Sequence, residues 1–481
     1  VCSVAAMWRC ARRGLTCTAP RKGNGKLMRI TGRILRSHVD MVHGKPLTVI
    51  FSFALPLLVG NLFNQLYNVV DTAIVGRALG ADALAAVGST GNINACLFLL
   101  LGGLATGVSV IVSQYWGAKK YDEQRRLLGT FTTLLLAGSA VLAALGAALA
   151  EPLLRLLQLP AELLPTGVTY LRITAGLLLG NALYNAAGAV LRSTGDSRTP
   201  LAAMAASSLC NIALDLWFIL GLRWGVAGAA LATVAAQFLS AGICLWALWR
   251  QNTPFAFASV RPCFAGDDAV LILRFGLPTA LQSCMITLGG MTVQGIVNSF
   301  GSVTMAAYTA VQRIDSLTIQ VIVAVSNALA IYTGQNMGHR DLDRVRLGLR
   351  ATLKALCASC LVLAVAVFAA RRWLLSIFLD PATDAASIAQ GADFLSVMVF
   401  AYIIAAVMNS YLNVLRGAGD VNVSLIAGLF EMGARLLFAG LLAPRLGVWG
   451  IWQATPLSWA AGCIIPVARY HSGEWMKKAL L

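Results

Sequence analysis

The chain is poor in charge and poorer still in acid. Only 12% of its 481 residues are charged, with 20 Asp or Glu set against 37 Lys or Arg. Together with 58% apolar residues and a mean hydropathy of +0.74, this excludes a soluble globular domain. Histidine is nearly missing: His38, His43, His339 and His471 all fall outside the long apolar runs, so no intramembrane metal cluster can rest on imidazole. Those runs also lack the strict apolar–polar alternation of barrel strands. The 11 cysteines are scattered, and Cys357 and Cys360, a CxxC inside an apolar segment, read as packing residues rather than a redox or zinc site. The first forty residues are basic and contain no apolar run of signal-peptide length. The sequence begins with Val, and "MVHGKPL" from Met41 is expected to mark the natural start.

What the sequence does have is a series of apolar runs long enough to cross about 30 Å of hydrocarbon. Twelve spans are expected, at 47–78, 82–114, 127–149, 163–190, 199–221, 225–249, 269–299, 303–336, 348–369, 387–414, 421–442 and 448–468. In lipid the backbone must satisfy its own hydrogen bonds, so these are helices and the fold class is an all-α polytopic membrane protein. The expected layout is a basic tail (1–45), a six-helix lobe (46–250), a linker (251–268), a second six-helix lobe (269–470) and a short tail (471–481).

The formal charge of +17 follows the membrane rather than a nucleic-acid partner. Lys119, Lys120, Arg125, Arg126, Arg250, Arg261, Arg340, Arg344, Arg346, Arg350 and Lys354 lie on connections after even-numbered spans, and Arg192, Arg198 and Arg416 lie in the matching turns. By the positive-inside rule that side is the cytoplasm, which places both termini there and the protein in the cell's inner (plasma) membrane.

An internal repeat runs through the chain. "VLRSTGD" from Val190 returns as "VLRGAGD" from Val414, "GVAGAALAT" from Gly225 as "GVWGIWQAT" from Gly447, and Pro56 and Gly80 align with Pro278 and Gly301. Two six-helix units therefore insert in the same orientation, a parallel repeat of the kind found in secondary transporters.

Several polar residues sit inside this apolar sequence, where they are costly and tend to face cavities or partners. Counted from the outer ends of their spans, Asp71 lies ~10 Å deep, Asp215 ~9 Å and Thr233 ~12 Å, with Asn211 one turn below Asp215. Asn211 and Asp215, spaced i and i+4, share a helix face. Two carboxylates in low dielectric cannot both ionise unpaired, so one takes a proton or both share a cation. The oxygens of Asp71, Asn211, Asp215 and Thr233 are also ligands that a hard cation such as sodium prefers. The second unit differs: Val293 stands opposite Asp71 and Arg435 opposite Asn211. Arg313 with Asp315, and Glu431 with Arg435, are expected as charge-neutral pairs. Asn64, Gln65, Tyr67 and Asn68 on span 1, Gln282 and Gln294 on span 7, and Gln312, Arg313 and Asp315 on span 8 are candidate cavity-lining residues.

"LPLLVGNLFNQLYNVVDTAIVGR", "LRSTGDSRTP", "NIALD" and the duplicated twelve-span layout resemble the MATE (multidrug and toxic compound extrusion) family of the MOP superfamily. The resemblance covers everything from about residue 43. It implies a cation-coupled antiporter, bent at Pro56, that exchanges small organic compounds, by family norm amphipathic cations, for protons or sodium. It also implies a coupling site at Asp71, Asn211, Asp215 and Thr233, with Leu216 departing from the proline many relatives carry. Acids on spans 7 and 10, used for sodium by some members, have no counterpart here apart from Asp393 near a span end. No cofactor, no nucleic-acid partner and a monomer are expected. The rivals are a lipid-linked precursor flippase of the same superfamily, expected to have fourteen helices, and a membrane-embedded enzyme, for which no nucleophile–base or metal constellation is legible.

Overall fold

The molecule, described here from a computed structural model that covers residues 39–156, 159–176, 178–250 and 260–480, contains helices and no strand among the described residues. The first half comprises α1 (Pro46–Gly80), α2 (Asp82–Gly117), α3 (Tyr121–Ala148), the short α4 (Ala150–Leu156), α5 (Leu164–Gly176), α6 (Leu179–Ser193), α7 (Arg198–Gly221) and α8 (Gly225–Arg250). The second comprises α9 (Gly266–Asn298), α10 (Ser302–Gly338), α11 (Leu342–Ser376), α12 (Ala385–Ala418), α13 (Asn422–Leu446) and α14 (Val448–His471). The expected tail and linker lie largely outside the described residues.

Ten of these helices are long and apolar enough to cross a membrane. The fourth expected span is broken: α5 and α6 meet at an angle of 42°. The twelfth is α14, a 24-residue helix carrying Pro456 and Pro466. Tryptophans near helix ends, among them Trp217, Trp249, Trp373 and Trp449, are exposed together with many aliphatic side chains, as expected of a lipid-facing surface with interfacial aromatics.

The repeat is visible in the backbone. Gly80 (φ +89°) and Gly301 (φ +90°) make the same sharp turn between the first two helices of each half, and Gly195 (φ +98°) and Gly419 (φ +101°) end the two "VLR" turns. A left-handed backbone of this kind costs glycine little and other residues about a kcal/mol or more.

The halves exchange material at the end of the bundle where the basic, even-numbered connections lie. Ile50 and Phe53, at the start of α1, are fully buried in the core of the second half among residues such as Val325 and Leu329. Their repeat equivalents Ile272 and Phe275, at the start of α9, are buried in the core of the first half beside Ile111 and Leu128.

The same end is closed by a reciprocal latch. Gln114 Nε2 donates to the Gly417 carbonyl at 2.9 Å, and its equivalent Gln335 Nε2 donates to the Ser193 carbonyl at 2.7 Å. Gly117 and Gly338 let the helices meet there: a Cβ at either would stand 2.0 Å from the carbonyl oxygen of Gln335 or Gln114. Further along, α2 and α9 touch backbone to backbone, a Cβ on Gly107 falling 2.5 Å from the Gly276 Cα. Small residues permit this closeness, which in lipid supplies the van der Waals contact that holds helices together. The described hydrogen bonds between the halves cluster at this end, with Asn61 to Gln320 (2.9 Å) the exception at mid-depth.

Candidate coupling site and central cavity

Asp215 ends the regular part of α7, after which the chain widens into a π-helical turn, Leu216–Gly221, with the Leu222 N–H donating to the Trp217 carbonyl at 2.9 Å. Such turns are rare and concentrate at functional sites. The Leu216 N–H donates to the Ile212 carbonyl, a bond that proline at this position would forfeit.

Asn211 and Asp215 are fully buried. The groups on either side of Asn211 settle its amide orientation: the nitrogen donates to Asp215 Oδ2 at 2.7 Å and the oxygen accepts from the Thr233 backbone N–H at 3.1 Å. Asp71, reaching in from α1, faces Asp215. Tyr67 and Tyr170 stand over both carboxylates and Thr233. The structure thus brings Asp71, Asn211, Asp215 and Thr233 into one cluster. Three of its buried oxygens, Asp71 Oδ1, Asp215 Oδ1 and Thr233 Oγ1, have no hydrogen-bond partner. Unsatisfied buried oxygens are expensive, so this arrangement is suited to taking up a proton or a cation. Val75, Ile219 and Ala229, one helical turn from Asp71, Asp215 and Thr233, pack with Tyr170 in a buried apolar cluster.

A separate cavity of about 480 Å³ lies between the halves. It is lined by α1, α2, α6 and α7 on one side and by α9, α10 and α12 on the other, with Asn61, Asn64, Asn181, Asn185, Asn327 and Asn413 contributing amides. A side cavity of about 100 Å³ shares Asn64, Asn181, Tyr184 and Met204 with it and reaches Tyr67 and Thr233. The side cavity thus borders the central cavity at Asn64 and Asn181 and the carboxylate cluster at Tyr67 and Thr233.

The remaining sequence-predicted residues are placed as follows. Asn64 lines both cavities and Tyr67 the side cavity. Gln65 is half-buried on α1, and Asn68 is exposed and donates to Asn64 Oδ1 at 3.0 Å. Gln282 is buried behind the cavity wall, accepting from Arg416 Nη2 at 2.8 Å. Gln294 donates to Asn298 on its own helix at 2.8 Å, and Gln312 to the Tyr308 hydroxyl at 2.6 Å. Helical φ and ψ run unbroken through Pro56, the only departure in α1 and α2 being Gly80.

A match to the MatE family model extends over residues 56–217 and 278–441, one segment in each half. The chain belongs to the MATE family. A relative named probable multidrug resistance protein YpnP, from Bacillus subtilis, is 31% identical over 91% of this chain and 97% of its own. The FAD transporter of Shewanella oneidensis is 26% identical over 64% of this chain and 68% of its own. Among solved structures, a MOP superfamily transporter from Pyrococcus furiosus superposes with a TM-score of 0.84 at 21% identity, covering 92% of this chain and 99% of that one. This MATE chain is accordingly a multi-pass membrane transporter with two six-helix halves related by a parallel repeat.

Two arginines of this MATE fold escape a reading of loop charge. Arg192 and Arg416, counted with the basic turns in the sequence, both line the central cavity, the former on α6 and the latter on α12. The signal that marks them was the repeat itself, since both are the arginine of the "VLR" motif. The second half also corrects one pairing. Arg313 is exposed and Asp315 does not bond to it; Asp315 lies against Tyr402 and within the influence of Arg435. Positions i and i+2 point to different faces of a helix, which separates the two side chains. Glu431 and Arg435 do pair, at 2.6 Å, with Glu431 buried and Arg435 partly so.

Proposed function

We propose that this transporter is a secondary antiporter. It exports small organic compounds from the cavity between its halves and draws on protons or sodium ions bound at Asp71, Asp215, Asn211 and Thr233. The observation that carries this reading is the pair of facing carboxylates with unsatisfied oxygens, set apart from the central cavity but bordered by a side cavity that shares Asn64 and Asn181 with it. Exchange follows if the cation binds one orientation of the halves better than the other, because only differential affinity moves a conformational equilibrium. The basic connections support an inner-membrane protein with both termini in the cytoplasm, so that the latched end is cytoplasmic and the cavity faces outward. The chemistry needs no cofactor, and one chain holds both the cavity and the cluster, which fits a monomer.

The relatives bear names as different as a multidrug resistance protein and an FAD transporter, so membership leaves the charge of the substrate open. The resemblance alone would suggest amphipathic cations. In proteoliposomes loaded with a fluorescent organic dye and given an imposed proton or sodium gradient, wild type should release dye along one gradient. Asp71→Asn and Asp215→Asn should each abolish the gradient-driven part. Dye release that ignores both substitutions would overturn the assignment of the coupling site.

A further inference from the structure

Among the described residues that line it, the central cavity contains two positive charges and no negative one. Arg192 and Arg416 face it, and neither Asp nor Glu is among its lining residues. Neither guanidinium has a carboxylate partner among the described residues. Arg416 donates only to neutral oxygens, Gln282 Oε1 at 2.8 Å and Asn413 Oδ1 at 3.3 Å, and its Nε is buried without a partner. Arg192 folds back along its own helix over Gly188, where a Cβ would stand 3.0 Å from Nη1.

The acid each motif supplies is engaged elsewhere. In "VLRSTGD", Asp196 Oδ1 accepts from the Arg198 and Thr199 N–H groups at 3.0 Å and starts the next helix. In "VLRGAGD", Asp420 pairs with Arg469 at 2.7 Å. The repeat therefore delivers one uncompensated arginine from each half to the same cavity. The ends of α6 and α12, where these arginines sit, contribute about half a negative charge each through their carbonyl dipoles, which leaves the site positive. An unpaired charge in this setting is costly and is retained where a ligand neutralises it. An arginine fork also fits carboxylate and phosphate geometry better than any other side chain.

We propose that the substrate is an organic anion whose phosphate or carboxylate group is bound by Arg192 and Arg416, while the six asparagines, Tyr184 and Phe98 receive its uncharged body. This inference rests on the transporter reading and departs from the amphipathic cations that the family resemblance implies. A cation entering the same space would meet two guanidinium groups and no counter-charge.

The test separates binding from coupling. Fluorescence anisotropy of carboxyfluorescein, competition by adenosine monophosphate, and anisotropy of ethidium would be measured on the full chain in lipid nanodiscs. Both anions should bind, more weakly as salt rises, with Arg192→Gln and Arg416→Gln each lowering anion affinity about tenfold or more and leaving ethidium unaffected. Arg192→Lys and Arg416→Lys, which keep the charge but lose the fork, should fall between. Displacement by adenosine monophosphate alone would point to phosphate, and carboxyfluorescein binding that the nucleotide cannot displace to carboxylate. Tighter binding of ethidium than of either anion would overturn the proposal, as would anion binding untouched in the double Gln variant. Should the Gln variants not fold, the wild type still decides: ethidium bound more tightly than either anion, or anion affinity that does not fall as salt rises, would overturn the proposal. Binding is read in nanodiscs without any gradient, so absence of gradient-driven flux when the same protein is reconstituted in proteoliposomes would count against antiport and leave the anion site standing.

Discussion

At the scale of single residues, the carboxylate cluster of the first half depends on one amide. Asn211 satisfies Asp215 on one side and Thr233 on the other. Asn211→Ala should leave a buried carboxylate oxygen without its donor, at a cost of about 1–3 kcal/mol. A lowered thermal midpoint and a shifted ion dependence of dye release would show it. Asp315→Asn in the second half should leave ion coupling intact, since that carboxylate belongs to a different cluster with Tyr402 and Arg435. Loss of gradient dependence in Asp315→Asn would place coupling in the wrong half. Much of this was legible beforehand: counting 1.5 Å per residue put Asp71, Asp215, Asn211 and Thr233 at one depth, because helical rise is nearly invariant. The direction of Arg192 and Arg416 was not legible. Rotation of a helix about its axis is set by its neighbours, and arginines at a helix end look alike whether they meet water or a cavity.

Between elements, the latch and the α1–α9 exchange decide how the halves move. Gly117→Val or Gly338→Val should force a side chain into the opposing glutamine backbone and open the closed end. Distances between spin labels at Asp122 and Asp343, measured by electron–electron resonance, should lengthen in either variant; unchanged distances would show that the glycines are not what permits closure. Phe53→Ala and Phe275→Ala should lower stability by similar amounts, about 3 kcal/mol or more each, because both fill equivalent positions in exchanged cores. Unequal losses would argue that the repeat is not reflected in the packing. The broken fourth span was read from the sequence as one helix. Its 42° bend follows from how α5 and α6 pack, which apolarity alone does not report.

For the whole molecule, the duplication explains both what the halves share and where they differ. Turns, latch and cavity arginines come in pairs, whereas the carboxylate cluster has no counterpart: Val293 is buried where Asp71 would be, and Arg435 pairs with Glu431. A symmetric frame thus carries one asymmetric carboxylate cluster. The exchange of first turns has a further consequence. A single six-helix copy would expose the vacancy left by a neighbour's Ile and Phe and would offer its own pair to be received, so two copies would complete each other around a two-fold axis. Such a unit would exist only as a pair and would fall apart on dilution. Joining the copies in one polypeptide makes their meeting intramolecular, and assembly no longer depends on how many molecules the membrane contains.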